Sequence, residues 1–147
     1  MTNQPIDIFL VEDNEGDILL IQESMDEANL SNRIRVVRDG EEAFQTLEDL
    51  GTSSLKNLPD ILLLDINLPK KNGHEVLASI KTNPALKKTP IIVLTNSSSE
   101  NDIFKAYDHH ANCYIVKPLE IQDFHHVVKK IKEFWNSVAK LPKPSIL

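Results

Sequence analysis

The sequence is short of several things, and each shortage narrows the field. Its single cysteine, Cys113, cannot form an internal disulfide, so a reducing, cytoplasmic setting is expected. No apolar run approaches the length of a membrane span, and the polar start Met1-Thr2-Asn3-Gln4-Pro5 does not read as a signal peptide. No membrane role is therefore expected. Positive charge is in deficit: 16 Lys and Arg stand against 22 Asp and Glu, a formal net charge of -6. That balance argues against nucleic acid as the main partner. No internal repeat, low-complexity block or linker to a second domain is visible. What remains is an ordinary composition, 41% hydrophobic and 26% charged, in 147 residues. One domain over 1–147 is expected, with a core of about 6–138 and an irregular tail at 139–147.

The stretch that organises the chain runs from Pro59 to Pro69. Ile61-Leu62-Leu63-Leu64 is too short for a free helix and lacks polar alternation, which suits a strand buried on both faces. It ends in a carboxylate, Asp65, and Pro69 stops the ladder. Asp7-Ile8-Phe9-Leu10-Val11 mirrors it and ends at Glu12-Asp13. Arg33 to Val37 reads as a second strand, Ile91 to Leu94 as a fourth ending at Thr95, and Cys113 to Val116 as a fifth ending at Lys117-Pro118. Between them, Ile18, Ile21, Met25 and Ala28 recur at helical spacing, as do Ala43, Phe44 and Leu47, and Val76, Leu77 and Ile80. Ile103, Phe104, Ala106 and Tyr107 ride a fourth helix. Phe124, Val127, Val128, Ile131, Phe134, Trp135 and Val138 mark the last. Gly51 to Pro59 reads as a rather long loop. Five strands alternating with five helices predict an α/β protein with a doubly wound parallel sheet, in the flavodoxin-like order 2-1-3-4-5.

In such a sheet all carboxyl ends share one edge, where open α/β folds place their chemistry. Glu12-Asp13, Asp65, Thr95 and Lys117 should therefore meet in one crevice, the edge strand adding nothing. Carboxylates about 4 Å apart repel by roughly 4 kcal/mol at an effective dielectric of 20. A proton or a cation must offset that, and oxygen-only ligands favour Mg²⁺. Asp65 could then serve as nucleophile toward a phosphoryl group, with the Lys117 ammonium and the Thr95 hydroxyl supporting the transferring oxygens. Pro118 also permits a cis Lys117–Pro118 bond.

Glu12-Asp13, Asp65 with Asn67, Pro69 and Gly73 behind it, Thr95, Tyr114 and Lys117-Pro118 together resemble a receiver domain of the two-component response regulators. The likeness spans about Ile6 to Val138. It implies that Asp65 is the phospho-acceptor, charged from a phosphohistidine on a sensor kinase. It implies that Asp13, Asp65 and the Asn67 carbonyl ligate Mg²⁺, that Glu12 holds a metal-bound water, and that Thr95 and Tyr114 form the switch pair. The family more often has Asp where this chain has Glu12, which bears on metal affinity. Within the family, Glu12-Asp13-Asn14, Leu68 to Gly73, Asn112-Cys113-Tyr114 and Phe134-Trp135 with Leu141-Pro142 are similar to the stand-alone regulators of cyanobacterial phytochrome kinases. That likeness implies a phosphorylation-dependent surface change read out by protein contact, onward phosphotransfer or feedback on the kinase, since no residues remain for an output domain. Only slow self-dephosphorylation is implied, not enzymatic turnover.

Taken singly, several residues read more plainly. Tyr114 alternates along a strand as half-buried packing would, and Cys113 as a small buried residue. The adjacent pairs His109-His110 and His125-His126 point apart on a helix and chelate poorly. The last helix carries Phe134 and Trp135 beyond one core face, which points to a homodimer surface made with its neighbours and the tail. Two other functions fit parts of the pattern. A haloacid-dehalogenase-like phosphatase shares the order Asp, Thr, Lys, but places a second Asp where this chain has Asn67, and an amide cannot act as general acid. A flavodoxin-like cofactor carrier needs a Gly-rich or hydroxyl-rich loop after the first strand, where Glu12 to Glu15 would repel phosphate.

Overall fold

Uninterrupted aliphatic runs set the strands, and the acids or prolines that follow them set their ends. The computed structural model describes residues 6–26, 33–53 and 57–142. Its elements are β1 (Asp7–Val11), α1 (Glu15–Asp26), β2 (Arg33–Val37), α2 (Gly40–Ser53), β3 (Ile61–Leu64), α3 (Gly73–Lys81), β4 (Ile91–Thr95), α4 (Glu100–Asp108), β5 (Cys113–Val116) and α5 (Ile121–Glu133). A π-helical turn at Phe134–Val138 extends α5. All strand pairs are parallel, and the order is β2-β1-β3-β4-β5.

Period-two alternation sorts the strand residues between two apolar layers. Phe9, Val11, Leu62, Leu64 and Val93 face Ala43 and Leu47 of α2, Val76, Leu77 and Ile80 of α3, and Ala106 of α4. Ile8, Leu10, Ile61, Leu63, Ile92 and Leu94 face Ile18, Ile21 and Met25 of α1 and Phe124, Val128 and Ile131 of α5. β3 is buried along its whole length. That double cover explains its lack of polar alternation, and each such leucine contributes about 2–3 kcal/mol by area.

Three details differ from the sequence reading. α2 continues through Gly51 to Ser53, so the following loop is shorter than expected, because Leu47 docks in the core and carries the helix on. Phe104 and Tyr107 ride α4 but face solvent at 72% and 49% exposure; the buried residue there is Ala106. At the π-turn Val138 leaves the apolar stripe and Phe134 stands exposed as expected, but Trp135, expected outside with it, packs against the layer that α1 and α5 cover. All peptide bonds among the described residues are trans, Lys117–Pro118 included. Ala28, residues 54–56 and the tail end at 143–147 lie outside the described residues.

Candidate functional site

Backbone hydrogen bonds beyond the strand ends fix three side chains at one edge of the sheet. The Glu12 amide donates to the Val37 carbonyl (3.0 Å), that of Asp65 to Val11 (3.0 Å), and that of Lys117 to Thr95 (2.7 Å). Each residue therefore leaves its strand in register with its neighbour, and their side chains converge. Lys117 Nζ donates to Glu12 Oε1 (2.5 Å), Asp17 Oδ2 (2.8 Å) and Asp65 Oδ2 (3.0 Å). An ammonium has three protons, so all three are engaged. Asp65 Oδ1 accepts from the Thr95 hydroxyl (2.8 Å) and from the Asn67 amide (3.0 Å). Glu12, Asp65, Thr95 and Lys117 are buried, while Asp13 stands exposed at the mouth.

One ammonium faces four carboxylates here. Burial pushes the Glu12 carboxyl up to about 7, against the opposing hydrogen bond from Lys117, and the Asp65 charge adds to the rise. For Lys117, burial favours the neutral amine, but the hydrogen bonds to Asp17 and Glu12 and the Asp65 charge prevail. Its ammonium is held above the ordinary lysine value. Carboxylate oxygens of Glu12, Asp13 and Asp65 lie within 4.8 Å of one another. A hard, all-oxygen donor set of excess negative charge, open on the Asp13 side, fits a divalent cation such as Mg²⁺.

Two loops frame the crevice. In the β3–α3 loop, the Gly73 amide donates to the Ile66 carbonyl (2.9 Å), and a Cβ on Gly73 would lie 2.3 Å from the Ile66 Cα. Only glycine lets α3 start this close to the acid-bearing strand end. Across the loop, a Cβ on Gly40 would lie 1.6 Å from the Lys71 carbonyl oxygen, and the Lys71 ammonium caps the Phe44 ring at 3.8 Å. Lys70 takes a left-handed φ of 67° between these anchors. In the β4–α4 loop, Ser97 accepts at its carbonyl from the Tyr114 hydroxyl (2.8 Å) and donates its own hydroxyl to Asp102. Asp102 also pairs with His74 Nε2 (3.1 Å).

This architecture matches known proteins along nearly its whole length. Residues 8–129 match the model of the response regulator receiver domain. The chain belongs to the response regulator receiver domain family. It is 40% identical to the response regulator Rcp1 of Synechocystis sp. over 96% of each chain. It is also 40% identical to the probable methanogenesis regulatory protein FilR2 of Methanothrix harundinacea, over 96% of this chain and 90% of that one. The crystal structure of the phosphorylated cyanobacterial phytochrome response regulator RcpA superposes with a TM-score of 0.89 at 48% identity, covering 95% of this chain and 99% of that one. The Mn²⁺-bound form of Rcp1 superposes with a TM-score of 0.86 at 40% identity, over 94% and 99%.

As a receiver domain, the chain brings Glu12, Asp13, Asp65, Thr95 and Lys117 into one crevice, with Asn67 at its rim and Tyr114 one loop away. The phosphatase alternative finds no support, since the side chain two residues after Asp65 is an exposed amide. Three participants were not legible in the sequence. Asp17 reads there as a helix-start acid, yet it holds Lys117; only its helical offset from Glu12-Asp13 hints at this. His74 and Asp102 lie 28 residues apart on separate helices, with no spacing signal to join them. Among the described residues, no helix is long and apolar enough to cross a membrane.

Proposed function

We propose that Asp65 accepts a phosphoryl group from a phosphohistidine of a sensor kinase and that the resulting acyl phosphate switches the protein's contacts. One observation carries this reading: a buried carboxylate held between an ammonium and a hydroxyl, beside two further acids at the sheet's carboxyl edge. In the transfer, an Asp65 oxygen attacks phosphorus, the P–N bond breaks, and the imidazole leaves neutral, protonated on its other nitrogen. Asp13, Asp65 and the Asn67 carbonyl would hold Mg²⁺, with Glu12 acting through a metal-bound water. The cation supplies charge neutralisation for the phosphoryl oxygens. Lys117 turns one proton from Asp65 to a phosphoryl oxygen, and Asp17 and Glu12 keep the other two.

Thr95 and Tyr114 serve as the switch pair. Here the Thr95 hydroxyl already lies on Asp65, and the Tyr114 hydroxyl already reaches the Ser97 carbonyl, because Asp65 accepts in the place the phosphoryl oxygens would take. Phosphorylation then fixes an arrangement the loop can already adopt. The similarity to the phytochrome response regulator RcpA favours a phytochrome-type sensor upstream. Output would pass through protein contacts and not through nucleic acid or membrane, in keeping with the acidic balance. Exposed Phe104, Leu119, Ile121, Phe134 and Val138 favour a homodimer surface around α4, β5 and the last helix.

Labelling with a small amido- or acyl-phosphate donor in Mg²⁺ tests the assignment. Asp65→Asn should abolish the acid-labile, hydroxylamine-sensitive label; a retained label contradicts it.

A further inference from the structure

His74 has a place in this molecule that packing alone does not account for. It is buried at 6% exposure, the second residue of α3, directly after the glycine that presses that helix onto the end of β3. Gly73 leaves α3 no room to shift relative to Asp65, so His74 stands on a fixed post beside the acid. From there its Nε2 reaches Asp102 Oδ1 across to α4 (3.1 Å), and its Nδ1 has no partner. A ring buried for its bulk would not orient one nitrogen to a carboxylate and leave the other unpaired.

Asp102 is itself committed on both oxygens. Its Oδ2 accepts from the Ser97 hydroxyl (2.5 Å), and its amide donates to the capping Ser99 hydroxyl (3.3 Å). The hydrogen bonds from Ser97 and His74 hold the Asp102 carboxyl below the usual carboxylate range, so it is ionised in the pair. Ser97 in turn offers its carbonyl to Tyr114 and lies two residues beyond Thr95. A continuous chain of hydrogen bonds thus runs from the fixed start of α3, through Asp102, to the loop that follows Thr95 and receives the Tyr114 hydroxyl. The two links made by the Asp102 carboxylate are charge-assisted, the stronger kind.

We propose that His74 is a positioning residue for the phosphorylation switch: acting through Asp102 and Ser97, it holds the β4–α4 loop where Thr95 meets Asp65 and Tyr114 meets the Ser97 carbonyl. This rests on the phospho-acceptor reading of Asp65, but its structural consequence is measurable without phosphorylation.

The chain has two tyrosines. Incorporated 3-fluorotyrosine therefore gives two ¹⁹F lines, assigned with Tyr107→Phe. His74→Phe keeps the ring volume and removes the hydrogen bond. His74→Gln keeps a donor that reaches Asp102. Asp102→Asn, at a partly exposed site, removes the charge that strengthens the hydrogen bonds from His74 and Ser97 without touching the core. In the unphosphorylated full chain, His74→Phe and Asp102→Asn should shift or broaden the Tyr114 line, and His74→Gln should restore it. With a small phosphodonor and Mg²⁺, the first two should slow Asp65 labelling about tenfold, the factor one charge-assisted hydrogen bond carries, and His74→Gln should label at nearly the wild-type rate. Should His74→Phe not fold, Asp102→Asn carries the same prediction. A Tyr114 line and labelling rate unchanged in Asp102→Asn, or wild-type behaviour in His74→Phe with impairment in His74→Gln, would overturn the proposal. Absence of any label on the wild-type protein would instead count against the role of Asp65, with the ¹⁹F comparison still deciding that of His74.

Discussion

Lys117 is the residue on which the resting site balances. Its three protons answer three carboxylates, those of Glu12 and Asp65 buried and that of Asp17 part-buried. Removing one partner of a buried ionic cluster costs about 3–5 kcal/mol, because the charges left behind lose their compensation. Lys117→Ala should therefore lower stability by about that amount in EDTA, and millimolar Mg²⁺ should recover most of it, since the cation replaces the lost positive charge. Metal binding should survive while the response to phosphodonor is lost. Chemical denaturation with and without Mg²⁺ checks this, and loss of metal binding would mean that Lys117 is misassigned. Glu12 gives a pH signature of opposite sign to the usual acid. Its folded value, about 7, lies above its unfolded one, so the folded state binds more protons between about 4.5 and 7. Its contribution is fully present below about 4.5 and is lost as pH rises through 7, by about 3 kcal/mol at most. Metal-free wild type should weaken across that window and Glu12→Gln should not, measured by urea midpoint at each pH.

At the scale of elements, two devices deliver these side chains. Ladder bonds past β1, β3 and β5 set the register, and two glycines let the β3–α3 loop lie against its neighbours. Gly40→Ala would drive a methyl into the Lys71 carbonyl, forcing the loop off α2. The expected loss is about 2 kcal/mol of stability and a weaker metal site, read by calorimetry with Mg²⁺. On the other face, buried Lys132 donates from α5 to the Ser24 and Met25 carbonyls at the end of α1 (3.2 and 2.9 Å). Lys132→Met should leave those carbonyls unsatisfied and cost about 2 kcal/mol, seen as faster hydrogen exchange in the last turn of α1. Much of this layout was legible in the sequence, because buried runs and strand-end acids are local signals. β3 is recognisable from four aliphatic residues and an aspartate. The packing of Trp135 and the outward turn of Val138 were not, since both come from a π-turn that the apolar spacing does not encode. Nor was the exposure of Phe104, where helical spacing marks a face without saying what covers it. His74 and Asp102 are joined by tertiary packing alone.

The whole molecule is one five-stranded parallel sheet covered by helices on both faces, with its chemistry gathered at the carboxyl edge. Apolar side chains on α4, the β5–α5 loop and the π-turn remain uncovered, Leu119 at 97% exposure and Phe104 at 72%. If they form a homodimer surface, sedimentation at micromolar concentration should show dimer, and Phe104→Ser with Leu119→Ser should shift it to monomer without loss of fold. Monomer alone, with and without phosphodonor, would remove that surface from the account. The central claim, that one edge acid takes the phosphoryl group with help from a divalent cation, has a direct test. Borohydride reduction of freshly labelled protein, followed by peptide mass mapping, locates any acyl phosphate. Modification is expected at Asp65, dependent on Mg²⁺ and absent in EDTA. Modification at another carboxylate, or at Asp65 regardless of metal, would contradict that claim.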